Sequence, residues 1–150
     1  MDFRGWVTVF RLPIEIAAAC LAVLPALLLL RAWGSLPDEI PVHFGLTGRP
    51  DRWGGRWQAW VVPLVALIIY GAFSTACGSW NWLLGKPSEL PRGIEPMLLM
   101  RVPLELLLTY ITWGTIRVAC KEAGKLSTPV LLGLLLLTVA PALALPFPRH

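Results

Sequence analysis

The sequence predicts an all-α integral membrane protein, a four-helix bundle with a structured loop between its first two helices. Of the 150 residues, 56% are apolar and 15% are charged, and the mean hydropathy is +0.65. Soluble domains usually contain about 45–50% apolar and about 25% charged residues. Disordered chains need low hydrophobicity and high charge. The composition therefore excludes a soluble enzyme and a disordered chain.

Four apolar runs account for the excess of apolar residues. A spanning helix needs about 20 mostly apolar residues, because each residue rises about 1.5 Å through a hydrocarbon core of about 30 Å. The predicted spans are residues 12–30, 57–80, 97–119 and 129–145. They leave no room for a separate soluble domain. We therefore expect residues 1–150 to form one membrane domain of a multi-pass protein in the cell membrane.

The first run has some features of a signal peptide. Arg4 and Arg11 precede it, and the small residues before Cys20 loosely resemble a lipoprotein cleavage site. The apolar run continues well past Cys20 to Leu30, which favours an uncleaved membrane anchor.

Each predicted span contains a proline, which removes one helical hydrogen bond and frees a carbonyl group. Membrane helices tolerate this where a neighbouring helix or a hydroxyl group satisfies that carbonyl. We interpret these residues as packing bends rather than hinges. They are Pro25, Pro63, Pro103 and Pro141.

The net charge of +4 favours basic loops at a membrane surface over a nucleic-acid partner in so apolar a chain. The basic residues are divided almost evenly between the two sides of the predicted bundle. A slight excess in the first and third loops indicates that both termini lie outside.

Residues 32–56 form the loop that carries most information. Proline follows Leu36 and Ile40, and it biases both toward extended backbone. Glycines in this loop permit tight turns and breaks. The sequence therefore predicts a shaped loop rather than a flexible linker. The residues predicted to hold its shape are Leu36, Pro37, Ile40, Pro41, Gly48 and Gly54.

Tryptophans follow at what resembles helical spacing, at Trp53, Trp57 and Trp60. Tryptophan prefers the membrane interface. We interpret these residues as an interfacial belt at the start of the second span, rather than as a ligand surface. Trp80 and Trp82 are expected to mark the other end of that helix.

The string LPDEIPVHF over residues 36–44 is followed by Gly48, Asp51, Trp53 and Gly54. These residues resemble the domain of unknown function 1648, whose pattern is roughly LPxxIPxHFxxxGxxDxWGxK between two membrane helices. Arg56 replaces the closing lysine of the pattern and keeps its charge. The family includes SdpI-type bacterial immunity proteins, which protect a cell from a secreted killing peptide. The resemblance implies a bacterial membrane protein of unknown molecular function that binds a peptide or partner protein at the membrane surface, for immunity or sensing.

His43 is the only histidine away from the C-terminus, and it has Asp38, Glu39 and Asp51 as predicted neighbours. It can serve as a proton acceptor or a metal ligand. A metal site usually needs several convergent ligands. We therefore favour a structural role, in which the ring hydrogen-bonds a loop carbonyl. The residues predicted to contact a partner are His43, Phe44, Asp51 and Trp53.

Charged residues also lie inside two predicted spans. Arg101 and Glu105 are four residues apart and share one helix face, and Arg11 and Glu15 repeat this spacing. Both pairs are expected at the same membrane surface, where they can form one charge network. We favour a buried or interfacial salt bridge near the start of the span, where the Arg101 side chain can extend to the interface.

Two other functions remain open. The polar stripe of the third span, continued by Thr109 and Thr112, fits a small transporter or channel component, which would need to form a homo-oligomer. A purely structural membrane subunit is the third interpretation. The sequence lacks the nucleophile elbow, zinc-protease helix, P-loop and dinucleotide fingerprints. We expect no enzyme, no catalytic residues, no metal, no cofactor and no nucleic acid. The expected partners are the lipid bilayer and a peptide or membrane protein.

Overall fold

The computed structural model describes residues 3–79 and 95–144. Within these residues the chain forms four α-helices and one two-stranded sheet. In chain order the elements are α1 (Phe3–Ala32), β1 (Glu39–Phe44), β2 (Pro50–Gly55), α2 (Val61–Ala76), α3 (Glu95–Ala119) and α4 (Thr128–Ala144).

Three of the described helical segments are long and apolar enough to cross a membrane, so the protein is a multi-pass membrane protein. They are Arg11–Ser35, Arg56–Ala76 and Met97–Ala119. The predicted fourth span coincides with α4, whose 17 residues reach only about 25 Å at about 1.5 Å per residue. This helix is apolar but shorter than the other three. The predicted end of the second span, with Trp80 and Trp82, lies outside the described residues.

The prediction of an all-α fold is wrong in one respect, because the loop over residues 32–56 contains an antiparallel hairpin of β1 and β2. Its register places Pro41 opposite Trp53 and His43 opposite Arg52, with bulges that leave Val42 and Asp51 outside the ladder. The prolines favour extended backbone as predicted. A positive φ of 74° at Gly48 lets the chain turn back, so the extended segments pair with each other.

The predicted helical spacing of the tryptophans is also wrong. Trp53 lies on β2, whereas Trp57 and Trp60 belong to a short 3₁₀ helix, Arg56–Trp60. Trp60 packs against Trp33 with ring centroids 6.0 Å apart. Trp53 and Trp57 are exposed. Of the three tryptophans, Trp60 is therefore the one that packs against a neighbouring aromatic ring just past the end of α1.

The helix α3 lies at the centre of the bundle, where it packs against α1, α2, α4 and β1. It also satisfies the backbone of α1 at Pro25. Proline has no N–H to bond the carbonyl of Leu21 four residues earlier. The hydroxyl of Thr109 on α3 lies 3.2 Å from that carbonyl oxygen. A hydroxyl on the neighbouring helix therefore lies within hydrogen-bond distance of the carbonyl that this proline leaves free.

The turn of the hairpin packs onto the loop between α3 and α4. The carbonyl of Gly48 accepts a hydrogen bond from the Leu126 N–H at 2.8 Å. The side chain of Leu126 fills a notch on α3 at Gly114, where an added Cβ would lie 1.9 Å from Leu126 Cδ2. The hairpin is therefore fixed to the bundle at its turn as well as at its base.

Candidate functional site

Apolar packing anchors the base of the hairpin to the ends of α1 and α3. Leu36 and Ile40 are buried in one cluster with Leu29 and Ala119. Pro41 is buried beside them. Burying side chains of this size contributes about 1.5–3 kcal/mol each. Leu36, Ile40 and Pro41 therefore lie where their predicted shape-holding role requires.

The remaining predicted shape residues differ in how they act. Pro37 is exposed, so it restricts the backbone without packing. Gly48 is buried at the turn, where an added Cβ would lie 2.1 Å from the carbonyl oxygen of Leu126. At Gly54 a Cβ would lie 2.1 Å from Gln58 Oε1 and 3.0 Å from Val42 Cγ1. Gly48 is thus required by its approach to a backbone carbonyl, whereas the nearest atom at Gly54 belongs to the flexible Gln58 side chain.

Arg56 joins the end of the loop to its beginning. Its backbone N–H donates to the carbonyl of Asp38 at 2.8 Å, and Nη1 lies 3.5 Å from the carbonyl oxygen of Leu36. The guanidinium lies 5.0 Å from the ring centroid of Trp33, in cation–π geometry. The structure thus gives the closing basic residue of the motif a positioning role, which its charge alone did not reveal.

His43 and Asp51 form a pair across the hairpin. Nδ1 of His43 lies 2.6 Å from Oδ1 of Asp51, and the side chains are 61% and 52% exposed. The expectation of a carbonyl partner for His43 is therefore wrong, because the bulges bring the Asp51 carboxylate next to the ring. Among the described residues no group of three or more His, Cys, Asp or Glu side chains is arranged to hold a metal ion. This exposed pair can donate and accept hydrogen bonds with a partner.

A cavity of about 310 Å³ lies beneath the hairpin, between β1, α2 and α3. This is about twice the volume of an engineered cavity of about 150 Å³ that admits benzene. We call it the hairpin cavity. The predicted contact residue Phe44 lines it, and the exposed Trp57 borders it. Its other walls include Pro41, Val42, Val61, Val62, Ile111, Thr112, Thr115 and Ile116.

The structure separates the four predicted contact residues into two groups. Phe44 is half-buried and contributes to the cavity wall. His43, Asp51 and Trp53 are exposed on the hairpin and do not line the cavity. The hairpin end therefore offers an apolar recess together with a nearby polar pair.

A second set of polar residues is buried between α1, α2 and α3. The Arg101 side chain is 2% exposed, and its Nη1 lies 2.6 Å from Glu15 Oε1 on α1. Nη2 donates to the hydroxyl of Ser74 at 2.7 Å, and the hydroxyl of Ser79 donates to Glu15. The Arg101 guanidinium also lies 5.1 Å from the Tyr70 ring centroid. These contacts tie the three helices together.

The four charged residues of the predicted network make different contacts from those expected. Arg101 pairs with Glu15 on another helix, and no ion pair joins it to Glu105 in the part of the chain that the structure describes. Of the two expected forms of the salt bridge, buried or interfacial, the structure shows the buried one, since Arg101 and Glu15 are both buried. Nη2 of Arg11 donates to the carbonyl of Cys77 at 2.9 Å. Buried Glu105 Oε2 has no hydrogen-bond partner among the described residues.

The polar stripe on α3 continues as Thr109 and Thr112, which are buried. Thr109 Oγ1 donates to the Glu105 carbonyl at 2.8 Å, and Thr112 Oγ1 donates to the Leu108 carbonyl at 3.1 Å. Both hydroxyl groups thus bond the carbonyl one turn earlier in their own helix, and the single Thr109 proton is shared with the Leu21 carbonyl on α1 at 3.2 Å. The two threonines of the stripe therefore bond backbone carbonyls. Glu105 is the one carboxylate among the four polar residues of this stripe.

The match to a known family covers the hairpin but not the buried polar residues. Residues 20–67 match the family model described as Domain of unknown function (DUF1648). We call this matched segment the DUF1648 domain. The match confirms the resemblance read from the LPDEIPVHF string. The DUF1648 domain covers the end of α1, the hairpin and the start of α2, whereas Arg11, Glu15, Arg101 and Glu105 lie outside it.

A relative in Archaeoglobus fulgidus has a similar segment and is described as an uncharacterized protein. It is 40% identical to this chain over 53 residues, which make up 35% of this chain and 27% of the relative. The chain thus spans about a quarter of the length of this relative. No solved structure matches the chain.

Proposed function

We propose that the DUF1648 domain binds an apolar segment of a peptide or partner protein at the surface of the cell membrane. The hairpin cavity is the observation that carries this proposal. Its walls are mainly apolar, it lies at the end of three apolar helical segments, and Trp57 beside it is exposed. In this proposal the protein acts by binding and not by catalysis.

The geometry suggests how a bound segment is held. A large apolar side chain enters the hairpin cavity and contacts Phe44 and the face of α3 that carries Thr115. Burial of such a side chain contributes about 1.5–3 kcal/mol, which corresponds to about ten- to hundredfold in affinity. The exposed pair of His43 and Asp51 forms hydrogen bonds with the backbone of the same segment, and exposed Trp53 contacts its flank. Immunity or sensing is the cellular role that this binding would serve.

The test is selection of short random-sequence peptides on the full chain in nanodiscs, with empty nanodiscs used to remove peptides that bind lipid. We expect the selected peptides to share a central Phe, Leu or Trp. Thr115→Trp places an indole in the hairpin cavity and is expected to weaken their binding by at least about tenfold.

Leu46→Trp is the matched control, because it adds the same ring at a position that is 97% exposed and outside the cavity. It should leave binding intact. Peptides without a shared large apolar residue, or equal binding to Thr115→Trp and to the parent chain, would contradict the proposal.

A second candidate function is proton or ion transfer through the buried polar residues. Glu105 supports it, because Oε2 is buried within a spanning segment without a hydrogen-bond partner among the described residues. Ionisable residues inside membranes commonly mark ion or proton sites. The measurement is flux of protons into liposomes that contain the purified chain.

Glu105→Gln should abolish the flux, and Glu39→Gln, at an exposed carboxylate on the hairpin, should not. Absence of flux from the parent chain would exclude this second candidate. Absence of both flux and peptide binding would favour a structural membrane subunit.

A further inference from the structure

A second cavity, of about 360 Å³, lies between α3, the loop after it and the start of α4. It shares no lining residue with the hairpin cavity. We call it the α3–α4 cavity. Apolar Trp113 and Val130 on its walls are exposed at 42% and 43%. Arg117 and Lys125 supply two cations to the same walls, and Tyr110 and Ser127 supply polar groups.

The charge of this region is predominantly positive. Besides Arg117 and Lys125, the loop contributes exposed Lys121. The carboxylate of Glu122 partly offsets this charge, since its Oε2 lies 3.5 Å from Arg117 Nε. The Arg117 guanidinium also lies 4.8 Å from the Trp113 ring centroid, which holds it beside the apolar wall. The surplus of cations favours an anionic ligand.

Backbone contacts give the α3–α4 cavity a defined shape. The helix α3 ends in a Schellman motif, in which the Glu122 N–H bonds the Arg117 carbonyl and the Lys121 N–H bonds the Val118 carbonyl. Farther along the loop, the Ser127 N–H donates to the Tyr110 hydroxyl at 3.0 Å. The cations therefore belong to a built recess and not to a loose group of surface side chains.

The position of the recess distinguishes between sources of an anion. The spanning segment of α3 ends at Ala119, two residues beyond Arg117, which places the cations at the membrane surface. The exposed apolar wall at Trp113 lies within the spanning segment. A ligand that contacts both the cations and the apolar wall needs a negative headgroup and a hydrocarbon tail.

We infer that the α3–α4 cavity binds an anionic phospholipid, with its phosphate beside Arg117 and Lys125 and an acyl chain along Trp113 and Val130. Basic pockets between membrane helices are known to take such headgroups, and each nearby Lys or Arg contributes about fivefold in affinity. This inference uses residues outside the DUF1648 domain and does not depend on the peptide-binding proposal.

The test is native mass spectrometry of the full chain in neutral detergent, titrated with phosphatidylglycerol and, separately, with phosphatidylcholine. We expect phosphatidylglycerol to bind more tightly by about tenfold or more. Arg117→Gln and Lys125→Gln should each weaken this binding by about fivefold. Lys121→Gln is the matched control, because it removes a cation from the same loop outside the cavity lining, and it should weaken binding less than either of the other two variants.

Competition with inorganic phosphate distinguishes a site for a lipid headgroup from a site for free phosphate. An excess of phosphate should not displace phosphatidylglycerol, because phosphate cannot occupy the apolar wall. Displacement by phosphate alone would overturn the lipid assignment. Equal binding of the two lipids would also overturn it, because that result shows only detergent-like adsorption. An equal loss in all three glutamine variants would overturn it too, because it shows only a general attraction to positive charge.

Discussion

The hairpin and the helix interior each contain a hydrogen-bonded pair of side chains with the same N–O separation of 2.6 Å, yet the two pairs differ greatly in burial. The side chains of His43 and Asp51 are 61% and 52% exposed, whereas those of Arg101 and Glu15 are 2% and 10% exposed. Exposed pairs contribute about 0–1 kcal/mol. Breaking a buried pair costs about 3–5 kcal/mol, because it leaves a charge without compensation.

This difference indicates a division of roles between the two regions. The hairpin is held by buried apolar side chains and by a close backbone contact at Gly48, so its polar pair is left exposed. The helix interior instead uses polar groups to join α1, α2 and α3. The same pair geometry is thus exposed in one region, whereas in the other it joins two helices in the interior.

The largest expected effect comes from the buried pair. Glu15→Gln keeps the side-chain shape but leaves the buried Arg101 guanidinium without its carboxylate. We expect the free energy of unfolding to fall by about 3–5 kcal/mol. Reversible denaturation in mixed micelles measures it. A loss below about 1 kcal/mol would show that the buried pair behaves like a surface pair, which would remove the contrast between the two regions.

The hairpin should be most sensitive at its backbone contacts. Gly48→Ala forces a side chain into a left-handed conformation and against the Leu126 carbonyl. It should lower the free energy of unfolding by at least about 2 kcal/mol. Gly34→Ala is the matched control, because an added Cβ meets nothing within 4 Å, and it should change stability by less than about 0.5 kcal/mol. Equal effects of the two substitutions would contradict this account of the turn.

A substitution at the end of α3, near the hairpin, is expected to raise the free energy of unfolding. Lys121 adopts a positive φ of 60° at the position where Schellman motifs usually have glycine. Lys121→Gly relieves that strain, although glycine also gains entropy in the unfolded chain, so we expect a net gain of about 0.5–1 kcal/mol. The same micelle denaturation measures it, and a loss of stability would show that the Lys121 side chain makes a contact of its own.

The smallest expected effect on stability belongs to the exposed pair. Asp51→Asn should change the free energy of unfolding by less than about 1 kcal/mol and weaken binding of a selected peptide. Stability and binding are measured on the same preparation. A large loss of stability without a change in binding would assign the pair a structural role and make the two regions alike.

The sequence predicts the helices well, because length and hydropathy are properties of each segment alone. The predicted third span, residues 97–119, coincides with the apolar part of α3. The motif also locates the hairpin region, although its prolines and bulges break the alternation by which a strand is recognised. The sequence pattern therefore does not predict strand pairing, and it assigns Trp53 to a helix, whereas the structure has it on β2.

Contacts between distant segments were beyond sequence reasoning. Spacing by four residues places Arg101 and Glu105 on one face, but the same face also meets α1, where Glu15 lies closer to the guanidinium. Nothing in the local sequence indicates that Leu126 fills the notch at Gly114. These contacts depend on how the helices pack, and the sequence of one segment does not specify its neighbours.

The most direct test of the central claim is calorimetric titration of one selected peptide into the full chain in nanodiscs. We expect Thr115→Trp to weaken binding by at least about tenfold, because the indole occupies the hairpin cavity, and we expect Leu46→Trp to bind the peptide as the parent chain does. Unchanged affinity in Thr115→Trp would contradict the claim that the hairpin cavity is the binding site.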